Sequence, residues 1–90
     1  MNVQQLTLVE RSIESPAERA QRLLVESHEA ASEHLRYLND ALRQVGLMAA
    51  EVARGGEAYP AGARDLCRRL ADELTQKANT LEATSRRDAA

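Results

Sequence analysis

Ninety residues with 12 Lys+Arg against 14 Asp+Glu, a formal net charge of −2, leave room for one small domain and argue against a polyanion-binding surface spread over the chain. Aromatic residues are only 2% of the composition, Tyr37 and Tyr59 with neither Phe nor Trp, so Leu and Ala must build any core. Mean hydropathy is −0.50 and no run approaches the ~18 to 20 apolar residues of a membrane span, while the lone Cys67 cannot form an intrachain disulfide; a cytoplasmic protein with no membrane partner is expected.

Residues 1–14 form an N-terminal arm in which Val3, Leu6, Leu8, Val9 and Ile13 are apolar yet precede the first helix start, which makes them the candidate partner-binding residues. Simple coverage of the ends of an assembly is the blander role for the same residues. Ser15, Pro16 and Glu18 then combine an N-cap, a proline at the first helical position and the glutamate of a capping box. Gly46 is the one glycine and no proline follows before Gly55-Gly56, so a single helix is expected over 16–54, roughly 58 Å long at 1.5 Å per residue.

Residues 55–59 are the length of a helix-to-helix connection, and Tyr59-Pro60 restarts the chain into a second helix over 60–84, with 85–90 a flexible polar tail. The fold class is therefore all-α, an antiparallel helical hairpin spanning 15–84 with one long and one shorter helix.

On a helical wheel, Leu24, Ala31, Leu35, Leu38, Leu42, Val45, Ala49 and Val52 share one arc of the first helix and are expected to form its core stripe. Leu23, Ala30, Tyr37, Ala41 and Met48 widen the arc beyond what one neighbouring helix covers. In the second helix Ala63, Leu66, Cys67, Leu70, Leu74, Ala78 and Leu81 repeat the pattern, opposite a ladder of alternating charge formed by Asp65, Arg69, Glu73 and Lys77. The first helix exceeds the second by about 15 residues, and burying one Leu is worth about 1.5 to 3 kcal/mol. Such a stripe calls for a partner, and a two-fold homodimer packing into a four-helix bundle is expected, with Leu23, Leu24, Ser27, Ala31, His34, Leu35 and Leu38 at the interface.

His34, the ionisable residue in that stripe, reads first as a satisfied interface histidine; near a dimer axis it would also make assembly weaken below about pH 6. His28, Glu29, Glu33 and His34 lie close in sequence, but the wheel makes them diverge and they lack the Glu-x-x-His spacing of bundle metal sites, so no metal or cofactor is expected. Cys67 sits in an apolar stripe, and no nucleophile–base set or phosphate-binding loop occurs, which points away from an enzyme. Arg64, Arg68 and Arg69 are interleaved with acids and do not favour nucleic acid. The resulting expectation is a non-enzymatic interaction, scaffold or regulatory module that homodimerises and contacts a further protein. Metal or small-ligand binding between subunits, and a nucleic-acid-associated role for the three arginines, stand as alternatives.

Overall fold

Ser15 begins the first helix as its sequence demands: its Oγ accepts the Glu18 backbone N–H at 3.1 Å, and its carbonyl accepts the Arg19 N–H at 2.8 Å. This satisfies a donor that the first turn would otherwise leave unpaired. The structure is a computed structural model that describes residues 14–89. It contains α1, Pro16–Arg54, a single 3-10 turn, Gly56–Ala58, and α2, Ala61–Ala89, with no strand among the described residues. The all-α hairpin read from the sequence is the observed fold.

The connection is built on its two glycines. Gly56 adopts φ +70°, the left-handed region that costs other residues about 1 to 2 kcal/mol. Gly55 has ordinary backbone angles, but a β-carbon there would collide with the Tyr59 ring folded against it. Tyr59 returns to extended backbone, φ −113° and ψ 142°, its N–H donating to the Gly56 carbonyl at 3.1 Å. The Arg64 Nε donates to the Tyr59 carbonyl at 3.2 Å, fastening the start of α2 to the turn.

The second helix does not stop near residue 84 but runs to Ala89. The polar residues expected to form a tail satisfy themselves on the helix instead. The Ser85 hydroxyl donates to the Leu81 carbonyl at 2.8 Å, Arg86 reaches Glu82 at 3.5 Å, and Arg86 and Arg87 place positive charge at the negative end of the helix dipole.

The described residues divide into two units, one ending at Ala31 and one beginning at Ser32. In the first, every described residue from Ser15 to Ala31 is exposed. In the second, α1 and α2 pack through small side chains: Ala49 and Ala78 are the buried hydrophobic residues, joined by Gly46. An ideal β-carbon on Gly46 would lie 3.6 Å from that of Leu74, the spacing of helices that meet backbone to backbone. Leu42, Ala53, Ala63, Cys67, Ala71, Leu74 and Leu81 line this seam half-buried.

The expected core stripes are thus only partly core. Leu35, Leu38 and Val45 of α1 and Leu66 and Leu70 of α2 remain exposed. A seam of glycine and alanine draws the two backbones close, and larger side chains are displaced to its flank.

Candidate functional site

The broad apolar arc of α1 resolves into two adjacent heptad seams. One, with Leu35, Asn39, Leu42, Gly46, Ala49 and Ala53 at alternating four- and three-residue steps, faces α2, and all of these but the exposed Leu35 are buried or half-buried. The other runs beside it: Ala17, Leu24, Ala31, Leu38, Val45 and Val52 at position a, and Ala20, Ser27, His34, Ala41 and Met48 at position d. Relative exposure is 48% at Leu24, 47% at Leu38 and Val45, and 63% at Met48. Val52 alone of the eleven is half-buried.

The sequence itself distinguishes the two seams. At the positions of the α2-facing seam, the stretch 18–32 has Glu18, Gln21, Val25, His28 and Ser32, four of them polar, whereas 35–53 is apolar or small apart from Asn39. The apolar part of the first seam, 35–53, is the part that shares the second unit with α2. The a/d seam remains apolar from Ala17 to Val52, broken only by Ser27 and His34, over the whole of α1. Wheel arithmetic over the full arc merges the seams; counting each heptad position separately would have parted them.

Within the second unit, α2 extends this open face. Reading each helix outward from its buried seam, Leu66 and Leu70 turn to the same side of the hairpin as Val45, Met48 and Val52. All seven expected interface residues, Leu23, Leu24, Ser27, Ala31, His34, Leu35 and Leu38, are exposed. The candidate partner-binding residues Val3, Leu6, Leu8, Val9 and Ile13 lie outside the described residues.

The polar groups are arranged as structural supports. Arg22 clasps Glu14, with Nη2 to Oε1 at 2.6 Å, and reaches Glu26 at 3.1 Å; the hydrogen bond from Arg22 holds the Glu14 carboxyl below its ordinary value. The Tyr37 hydroxyl donates to Glu33 at 2.6 Å, and loss of that bond on ionisation pushes the phenol upward. Of the arginine trio, Arg68 and Arg69 both engage Asp65, the latter at 2.9 Å, and Arg64 engages the turn carbonyl. His28, Glu29, Glu33 and His34 are exposed, and among the described residues no group of three or more His, Cys, Asp or Glu comes together. No described helix is long and apolar enough to cross a membrane.

Sequence reasoning missed the polar tie between the helices. Arg43 Nη2 donates to Asn79 Oδ1 at 3.0 Å and to Glu82 Oε2 at 2.9 Å, while the nearby α1 residue Asn39 keeps a buried Oδ1 with no hydrogen-bond partner. Comparison with protein-family models, curated proteins and solved structures found no match to this chain.

Proposed function

We propose that the protein is a non-enzymatic helical interaction module that self-associates as a homodimer, packing two hairpins into a helical bundle, and presents its remaining surface to another protein. One observation carries this reading: an eleven-position a/d heptad repeat on α1, nearly all of it open to solvent, beside a hairpin seam whose fully buried members among the described residues are Gly46, Ala49 and Ala78. A single chain that leaves so many leucines and valines wet forgoes most of the hydrophobic stabilisation available to it. Covering the face with a second chain recovers that stabilisation.

The reading places the protein in the cytoplasm, where its single thiol, half-buried in the α2 seam, stays reduced. Residues 1–14 serve in it as an additional contact segment. The arginine trio, already engaged by Asp65 and the turn, supports the reading better than it supports a nucleic-acid surface.

The test is solution mass by light scattering at micromolar concentration, with helicity followed by circular dichroism. The expected mass is twice the 9.9 kDa of the chain. The paired substitution Leu38→Asp and Val45→Asp, on the open face, should halve it. A well-folded particle of single-chain mass for the unaltered protein would overturn the proposal.

A further inference from the structure

The a/d seam contains information about its occupant beyond its apolarity. Its run from Ala17 to Met48 alone spans 32 consecutive residues of α1, so a helix that covers that run must be at least as long. Among the described helices α1, with 39 residues, meets that length, and α2, with 29, does not. The seam also alternates in side-chain size. Ala17 and Ala20 are followed by Leu24, then Ser27 and Ala31 by His34 and Leu38, then Ala41 by Val45 and Met48.

We infer that the occupant is α1 of a second copy, running antiparallel, in the one register that sets a small residue against a large one in every layer. This deepens the homodimer reading and rests on it. In that register Ala17 meets the partner's Met48, Ala20 the partner's Val45, Leu24 the partner's Ala41, Ser27 the partner's Leu38, and Ala31 the partner's His34. The two-fold axis repeats these five layers as ten.

Antiparallel coiled helices pair a with d, and sliding the copies by one heptad destroys the match. A slide one way puts Leu24 on Met48 and Ala31 on Ala41; the other way puts Ala17 on Ala41 and Leu24 on His34. A parallel dimer pairs every residue with itself, stacking Ala on Ala beside Leu on Leu. Close-packed interiors need large and small side chains to interdigitate, and only the first register provides that throughout.

Charge agrees with the same arrangement. The flanking positions are Gln21, His28, Leu35, Leu42 and Ala49 on one side and Leu23, Ala30, Tyr37, Gln44 and Glu51 on the other, with one carboxylate and no lysine or arginine. Two copies therefore approach without like-charge repulsion along the seam. Glu51 comes level with the start of the partner's α1, at the positive end of its dipole. The Glu14 carboxylate at that level is already held by Arg22.

Orientation and register are read by one distance. In a Cys67→Ser background, a nitroxide on Leu47→Cys sits on an exposed position outside both seams. Pulsed electron-spin resonance should then give a label separation of about 44 Å along the axis, at 1.5 Å per residue. A dimer with a separation near 20 Å or less would be parallel, since helix axes lie only 8–10 Å apart, and would overturn the orientation. Separations near 33 or 54 Å would mark a one-heptad slide and overturn the register. A folded single-chain mass for the same labelled protein would overturn the homodimer reading itself, which keeps the two failures distinct.

Discussion

The guanidinium of Arg43 on α1 lies 2.9 Å from the Glu82 carboxylate on α2, thirty-nine residues away in the chain. Among the described residues it is the ion pair that joins the two helices, and Arg43 also donates to Asn79 at 3.0 Å. Where the apolar contact is mostly alanine and glycine, a forked donor that reaches two side chains of the other helix sets its axial position.

Arg43→Ala is accordingly expected to lower hairpin stability modestly. Both partners are more than one-third exposed, so the loss should be about 0.2 to 1 kcal/mol, the range of exposed ion pairs. A double-mutant cycle with Glu82→Ala in urea should return a coupling energy of that size, and additive single losses would remove the tie.

Gly46 and Gly56 should respond oppositely to alanine. Gly46 is within α1, and a β-carbon there would make ordinary contact, 3.6 Å from Leu74 Cβ and 3.9 Å from the Ala71 carbonyl. Gly46→Ala should stabilise by about 0.5 to 1 kcal/mol from backbone entropy. Gly56→Ala, forced to keep φ +70°, should lose about 1 to 2 kcal/mol. Thermal unfolding of the two variants checks both signs at once.

The clasp between Glu14 and Arg22 gives the start of α1 a pH dependence with a definite sign. Arg22 lowers the Glu14 carboxyl below its ordinary value, so the contribution is present above that value and is lost as pH falls through the lowered one. Protection of the first-turn amides of α1 against hydrogen exchange, taken relative to the intrinsic rate at each pH, should fall on acidification below about pH 4, where carboxylates ordinarily protonate. Glu14→Gln should leave the same turn less protected at neutral pH and remove the part of the acid response due to this carboxyl.

If two copies pair in the proposed antiparallel register, side-chain size along the open seam should be exchangeable between layers. Ala41→Leu puts two leucines in the layer with Leu24 of the other copy and should weaken the dimer about tenfold or more, since overpacking costs typically 1 to 3 kcal/mol. Adding Leu24→Ala restores one large and one small residue per layer and should recover most of the affinity. Sedimentation equilibrium of the single and double variants makes the comparison, and a double variant weaker than Ala41→Leu would contradict the pairing.

Sequence alone determined the helices, because their signals are local. Ser15, Pro16 and Glu18 satisfy the first turn of α1 with their own atoms, and Gly55-Gly56 supply backbone that other residues resist. The same locality misplaced the end of α2, where Ser85 and Arg86 read as tail residues yet bond back along the helix to Leu81 and Glu82. Tertiary structure decided which part of the α1 apolar arc is core. Periodicity places Leu38 and Ala49 on the same broad face, but only the approach of α2 along Gly46, Ala49 and Ala78 buries one and leaves the other open. That choice depends on how closely two backbones can meet, a property of paired surfaces that no single helix contains.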